Sequence, residues 1–300
     1  MAAIPLEEVP EEAATGHIRE TFEDIKGCLR VTTVNLLYRT LAKHPAYLVA
    51  AWDQLRPNVT TLFFERVAEK VRRTMVPPLS PDLPNHEEEL EELGYTDEQI
   101  RQVGGVIDVF NYVNPKNLIV ASALKASLEG FPVGGVKPGD ARELEPLPEG
   151  PPEGMETPTL VGPDEAQGQA REAFEALRAW YGGSAVGSVY RALGRWPEYL
   201  ARAVDLIVRE TQMKGFDITV NLSQQAALSA AQQFPFPIAL SREKVRQMGY
   251  GEEEVDLIGR KLDRFILFIP RTNTSLLILR AALLGEGRVK NNPFPLPQLR

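Results

Sequence analysis

The chain has 300 residues, 43% of them hydrophobic and 25% charged, which is enough apolar material to bury a sizeable core. Its formal net charge of −8 argues against a nucleic-acid surface, and its longest apolar runs are too short for a membrane helix. A single cysteine, Cys28, excludes an internal disulfide, and three histidines without paired spacing predict no metal site. The acidic N-terminus lacks the basic and apolar regions of a signal peptide, so we expect a cytoplasmic protein.

Two stretches of the chain repeat each other. Residues 16–23 and 168–175 agree at five of eight positions, at an offset of 152. That offset continues downstream, and residues 93–110 then match 248–265 at an offset of 155. We therefore predict an internal duplication, whose copies pack like the halves of a dimer about a pseudo-twofold axis. Shared residues such as Tyr38/Tyr190, Arg39/Arg191 and Asp53/Asp205 are interpreted as requirements of the fold.

The spacing of apolar residues is helical in both copies. Val34, Leu37, Tyr38 and Leu41 stand at i, i+3, i+4 and i+7, and positions 186–193 repeat this stripe. No sustained alternation of period two indicates strands. The sequence predicts the all-α class, two tandem helical repeats in one bundle, with helices over 15–26, 61–73, 96–112, 116–128, 166–179, 198–212, 220–231, 252–268 and 274–284.

A Pro/Gly-rich segment separates the two copies. Residues 131–163 hold eight of the 24 prolines and six glycines, a composition that cannot propagate a helix. We predict a first repeat over 1–130, this linker, and a second repeat over 164–300 that ends in an extended tail. Pro115 and Pro270 are each expected to interrupt an apolar helix. An active site is expected where the two repeats meet.

Positions at which the copies differ in polarity are the best site candidates, because fused copies can diverge. Asn114 is the first of these, since its counterpart in the second copy is Ile269. An asparagine before Pro115 also fits a helix N-cap followed by a proline at the first helical position. The functional alternative is that amide groups at this helix start bind a carboxylate or a developing anion.

Two further candidates come from the same comparison. Thr61 and Glu65 stand four residues apart, on one face of a helix. They fit a structural pair, but a carboxylate beside the aromatic residues at 63–64 would also have its pKa raised towards the range useful for acid–base catalysis. Ser188 replaces Leu36 of the first copy and follows Gly187, which leaves room for close packing or for a ligand.

Three stretches together resemble a known family. Residues 50–67 (AAWDQLRPNVTTLFFERV), 108–124 (DVFNYVNPKNLIVASAL) and 187–203 (GSVYRALGRWPEYLARA) are similar to the group I 2-haloacid dehalogenases, the DehI family. The resemblance implies an all-helical pseudo-dimer that hydrolyses 2-haloalkanoic acids of either hand, without a metal or cofactor. It also implies that an aspartate and an asparagine position a water, which displaces halide from C2 without a covalent ester.

The resemblance also suggests roles for individual residues. Asn114 occupies the position of the family's asparagine, Thr61 and Glu65 fall on a family Thr/Glu pair, and Ser188 falls on a residue that lines the halide end of the pocket. Val189 stands where the family carries its water-activating aspartate, and valine cannot accept a proton. The candidate catalytic residues are Asn114, Glu65 and Thr61, and the candidate substrate-binding residues are Ser188, Val189, Tyr112 and Leu37.

The sequence leaves three functions open. The first is a dehalogenase-like hydrolase in which Glu65 replaces the missing base. The second is a cofactor-free binding protein for a small carboxylic acid or an apolar ligand near Asn114, and the third is chemistry on another substrate. In each case the expected partner is a small molecule, with no nucleic acid and no membrane. A homodimer is left open.

Overall fold

The computed structural model describes residues 7–182 and 186–296, and within those ranges it contains twelve α-helices and no β-strand. The predicted all-α class is therefore confirmed. The helices are α1 (Gly16–Leu29), α2 (Leu36–Leu41), α3 (Pro45–Val59), α4 (Leu62–Thr74), α5 (His86–Glu92), α6 (Asp97–Leu128), α7 (Gly168–Tyr181), α8 (Ser188–Leu193), α9 (Pro197–Glu210), α10 (Lys214–Gln232), α11 (Arg242–Gln247) and α12 (Glu252–Leu284).

The helices of the first half recur in the same order in the second half. Both α1 and α7 have 14 residues, and both α2 and α8 have six. The long helices α6 and α12 have 32 and 33 residues. This order is what two copies of one helical unit produce.

The centre of the fold is the packing of α6 against α12, and a matched pair of glycines lies at this contact. A β-carbon at Gly104 would lie 3.7 Å from Leu283, and one at Gly259 would lie 3.5 Å from Leu128. Gly104 matches Gly259 in the repeat, and Leu128 matches Leu283. These contacts are therefore reciprocal, which is the pattern of a twofold relation between halves.

Two ion pairs across the same junction are also reciprocal. Lys125 Nζ donates to Asp263 at 2.8 Å, and Arg280 Nε donates to Asp108 at 2.6 Å. Lys125 and Arg280 are matched positions, as are Asp108 and Asp263. The pairs support the predicted pseudo-twofold arrangement of the halves.

The prediction that Pro115 and Pro270 interrupt their helices is wrong, because both lie inside α6 and α12. A proline removes one helical N–H, which leaves the carbonyl four residues earlier without its partner. In α12 the side chain of Gln224 supplies that partner, since its Nε2 donates to the Ile266 carbonyl at 2.9 Å. Asn114 is consequently an interior residue of α6, not an N-cap.

The middle of the linker and the C-terminal segment run along the first half, whereas the two ends of the linker form backbone hydrogen bonds with the second half. The Leu62 N–H donates a hydrogen bond to the Glu145 carbonyl at 3.0 Å, and the Leu147 N–H donates one to the Thr60 carbonyl at 2.8 Å. At the other end of the chain, the Phe294 ring packs edge-on against a first-half tyrosine. By length and composition α12 is the one described helix that could cross a membrane, but 72% of its apolar window is buried inside the protein, as in a core helix.

Candidate functional site

A cavity of about 110 Å³ lies at the meeting of the two halves, and we call it the junction cavity. It is smaller than the pockets of drug-sized ligands, so its ligand must be small. Matched positions of the two copies line it in pairs, so each half contributes one wall. The pairs are Asn35/Gly187, Leu36/Ser188, Phe110/Phe265 and Asn114/Ile269.

A network of amides sets the orientation of Asn114. Its Nδ2 donates to Asn273 Oδ1 at 3.4 Å, while Asn273 Nδ2 donates to Asn111 Oδ1 at 3.3 Å and to Met75 Sδ at 3.0 Å. A thioether sulfur can only accept, so it fixes which end of the Asn273 amide faces it. Asn114 lines the junction cavity, and because its Nδ2 is engaged by Asn273, the carbonyl oxygen is the part of its amide that is left to accept a hydrogen bond.

The first turn of α8 forms the facing wall. In the first half, Asn35 Oδ1 caps α2 by accepting from the Leu37 N–H at 2.9 Å. Gly187 stands at the matched position before α8 and supplies no side-chain cap. The backbone N–H of Val189, which matches that of Leu37, therefore has no N-cap side chain to accept from it.

The hydroxyl groups of the cavity cannot act as bases. Tyr181 Oη lies 2.6 Å from Thr272 Oγ1 and 3.1 Å from Tyr190 Oη. Burial raises the pKa of Tyr181 to about 12 and that of Tyr190 well above its usual value, so both phenols stay protonated at neutral pH. No Asp or Glu belongs to the described residues that line the junction cavity, and Arg264 is their one charged side chain.

Carboxylates do line an adjoining cavity of about 270 Å³. Glu11 is already engaged there, since it accepts from the Val34 N–H at 2.7 Å and lies 3.5 Å from Lys26 Nζ. The two cavities share Asn35, Phe110 and Ser188.

Glu65 lies in a separate buried cluster. Its carboxylate accepts from Lys116 Nζ and, at 3.1 Å, from the Tyr112 hydroxyl. Lys116 Nζ also donates to the Leu29 carbonyl at 2.9 Å and lies 3.8 Å from the centre of the Tyr112 ring. Neither Glu65 nor Tyr112 lines the junction cavity, so the structure does not bring them together with Asn114 and Val189.

Thr61 and Leu37 have structural surroundings. Thr61 caps α4, because its Oγ1 accepts from the Phe64 N–H at 3.3 Å and donates to the Asn58 carbonyl at 2.6 Å. Leu37 is fully buried in the core, and its neighbour Leu36 lines the cavity instead. Of the seven candidate residues, three line the junction cavity together: Asn114, Ser188 and Val189.

One group of potential metal ligands lies far from these residues in the fold. Asp24, Cys28 and Glu149 place one ligand atom each within 4.8 Å of one another. Arg56 already donates to both carboxylates, at 2.9 Å and 3.0 Å. Burial and the neighbouring Asp24 raise the pKa of the Cys28 thiol to about 12, which disfavours the thiolate that a metal needs.

Comparison with known proteins connects this geometry to a family. Residues 32–155 match the family described as halocarboxylic acid dehydrogenase DehI. A configuration-inverting 2-haloacid dehalogenase of Pseudomonas sp. (strain 113) is 32% identical over 290 residues, which cover 96% of this chain and 94% of that protein. The chain belongs to the DehI family. An (R)-2-haloacid dehalogenase of Pseudomonas putida is 28% identical over 273 residues, or 86% of each chain.

Solved structures of D-2-haloacid dehalogenases share the fold over nearly the whole chain. A D-2-haloacid dehalogenase mutant in complex with D-2-CPA superposes with a TM-score of 0.81 at 28% identity, covering 95% of this chain and 96% of that one. A complex of D-2-haloacid dehalogenase with L-LA gives the same TM-score at 27% identity and the same coverage.

Sequence analysis missed Arg264 and Asn35 as cavity residues. The comparison that found Asn114 also marks Arg264, because its matched position in this DehI-family chain is Val109. Asn35 is marked in the same way, because its matched residue in the second copy is Gly187. Both lie in segments that match between the copies, so the repeat alignment could have found both differences in polarity.

Proposed function

We propose that this chain hydrolyses short 2-haloalkanoic acids in the junction cavity, as a dehalogenase without metal or cofactor. The observation that carries the proposal is that Asn114, whose Nδ2 is engaged by Asn273, lines a small apolar cavity between the two halves of a DehI-family chain, so that its carbonyl oxygen is the group left to accept a hydrogen bond. An acceptor in that place suits a water molecule, which donates to it and turns a lone pair towards a substrate carbon.

The surrounding groups fit a 2-haloacid. The hydroxyl of Ser188, at the first position of α8, provides a donor for the carboxylate, and the aromatic rings of Phe110 and Phe265 provide an apolar environment for the carbon–halogen bond. A water held by Asn114 attacks C2, the new C–O bond forms as the carbon–halogen bond breaks, and halide leaves with the electron pair. The attacking water passes a proton to solvent.

Slow turnover is expected, because no Asp or Glu belongs to the described residues that line the junction cavity and could take that proton. By resemblance to the family, Val189 stands where the water-activating aspartate would be. Glu65 is held by Lys116 outside the cavity. General-base catalysis is worth about 10²–10⁴-fold, so orientation alone must supply the rate that remains.

A second candidate is a binding protein that holds a short carboxylic acid without turning it over. It is favoured by one observation: no carboxylate belongs to the described lining of the junction cavity. The two candidates share a ligand class and differ in turnover.

Halide release from each enantiomer of 2-chloropropionate separates them. We expect slow release by the wild type, loss of release in Asn114→Ala, and an increase of at least tenfold in Val189→Asp, which restores a proton acceptor. If the wild type and Val189→Asp both release no halide yet bind the acid, the binding role is correct. If neither binds the acid, both candidates fail.

A further inference from the structure

In the second half, one tyrosine joins a set of buried hydroxyl groups. Tyr181 Oη lies 3.1 Å from Tyr190 Oη and 2.6 Å from Thr272 Oγ1. Ser275 forms a further hydrogen bond with Tyr190. Burying a hydroxyl costs free energy unless it is hydrogen-bonded. The second half therefore satisfies these buried groups with its own side chains, and Tyr181 is the group in the middle.

The first half has the outer polar groups of this set without the middle one. The repeat offsets of 152 and 155 give the counterparts, which are Tyr38 for Tyr190, Leu29 for Tyr181 and Asn117 for Thr272. Leucine has no hydroxyl, so nothing in the first half takes the part of Tyr181. The counterpart of Ser275 is Val120, which cannot bond to Tyr38 either.

The polar atoms of Tyr38 and Asn117 are buried without partners. Tyr38 is 1% exposed and Asn117 is fully buried. Within the described part of the chain, no group forms a hydrogen bond with Tyr38 Oη, with Asn117 Nδ2 or with Asn117 Oδ1. Buried polar atoms that lack a protein partner are typically bonded to an internal water molecule. These atoms offer both donors and an acceptor, so their ligand must accept as well as donate.

Volume favours the same ligand. A leucine is smaller than a tyrosine by roughly the volume that one water molecule occupies, about 30 Å³. We propose that the first half binds an internal water molecule between Tyr38 and Asn117, at the place that the Tyr181 hydroxyl occupies in the second half. The water accepts from Tyr38 Oη and donates to Asn117 Oδ1, so it joins α2 to α6.

This water site is separate from the proposed reaction. None of Leu29, Tyr38 and Asn117 lines the junction cavity. Asn117 does stand one turn after Asn114 on α6, so the water ties down the helix that carries the cavity's amide acceptor. The test therefore needs no turnover, and its outcome is independent of whether the chain releases halide.

A crystal structure of the wild type, at a resolution that shows ordered waters, is the direct test. We expect one water peak within hydrogen-bonding distance of both Tyr38 Oη and the Asn117 amide. In Leu29→Tyr the introduced hydroxyl should replace that water and bond to both groups, as Tyr181 does in the second half. Leu29→Phe is the matched control, because it adds the same ring without the hydroxyl.

Urea denaturation tests the same hydrogen bonds in solution. Leu29→Phe expels the water and leaves Tyr38 and Asn117 unpaired, so it should unfold at a lower urea concentration than Leu29→Tyr. In a Tyr38→Phe/Asn117→Leu background the two variants should unfold alike, because the groups that need the hydroxyl are gone. A wild-type structure without the water peak would overturn the proposal, and so would equal urea midpoints for Leu29→Phe and Leu29→Tyr. The wild-type structure decides the question even if the variants fail to fold.

Discussion

At the scale of single residues, Glu65 shows how a partner determines what a carboxylate can do. It is 6% exposed and bonded to Lys116, whose side chain is 1% exposed. Burial lowers the pKa of Lys116 to about 8, and the nearby Glu65 opposes that shift. The pair therefore holds α4 and α6 together as a buried ion pair. Removing one partner leaves the charge of the other buried without a counter-ion.

We predict that Glu65→Gln lowers the free energy of unfolding by about 3–5 kcal/mol, the usual effect of breaking a buried pair. Urea denaturation followed by circular dichroism measures it. The double variant Glu65→Gln/Lys116→Met should lose less than Glu65→Gln alone, because no stranded cation remains. Glu23→Gln, at an exposed position, is the control for a lost carboxylate. A stable Glu65→Gln protein that no longer releases halide would instead make Glu65 part of the chemistry.

At the scale of elements, the two prolines lie in matched places with different surroundings. In α12, Gln224 satisfies the carbonyl that Pro270 leaves without its helical N–H. In α6, Pro115 removes the N–H that would serve the Asn111 carbonyl, and no side chain of the described residues donates to that oxygen. The proline beside Asn114 is thus the less compensated of the two.

We predict that Pro115→Ala raises the free energy of unfolding by about 1–3 kcal/mol, since alanine restores the N–H and proline costs about 3 kcal/mol inside a helix. Pro270→Ala should gain less, because the Ile266 carbonyl already has a partner. Thermal unfolding of both variants and the wild type gives the comparison. An equal or larger gain in Pro270→Ala would mean that the side-chain bond of Gln224 contributes nothing.

Much of this element-level arrangement could be predicted from the sequence. Helical spacing gives the all-α class, and the repeat offsets find Asn114 and Ser188, which share the junction cavity. The continuity of α6 could not be predicted, because packing against α12 outweighs the local preference of proline. The orientation of Asn114 could not be predicted either, since it depends on Asn273, which lies 159 residues further along the chain.

At the scale of the whole molecule, two buried histidines lie where the halves meet. His44 Nε2 is 3.1 Å from Lys261 Nζ, and its ring packs against Tyr250. His86 is 2% exposed, and its ring packs edge-on against Tyr199 at 5.7 Å. Burial lowers the pKa of both rings, and nearby cations lower it further. Each histidine in the first half therefore stays neutral against a surface of the second half.

Acid should consequently weaken the fold between pH 6.5 and about 4. Burial lowers the pKa of His86 from 6.5 to about 4, so in this range the unfolded chain binds a proton that the folded chain does not. Stability attributed to His86 is complete above pH 6.5 and is lost as the pH falls to about 4. A difference of 2.5 pKa units corresponds to at most about 3 kcal/mol. The lowered pKa of His44 acts in the same direction.

His86→Gln isolates this contribution from that of the carboxylates, which titrate in part of the same range. We expect the free energy of unfolding, measured with urea at several pH values, to fall more steeply on acidification in the wild type than in His86→Gln. The variant sets its own baseline, so the quantity compared is the change between pH 7 and pH 4.5. His17→Gln is the matched control, because it removes a histidine whose side chain is exposed. If the free energy of unfolding fell equally with pH in the wild type and in His86→Gln, the prediction would be contradicted. His86 would then take up its proton in the folded protein as readily as in the unfolded chain.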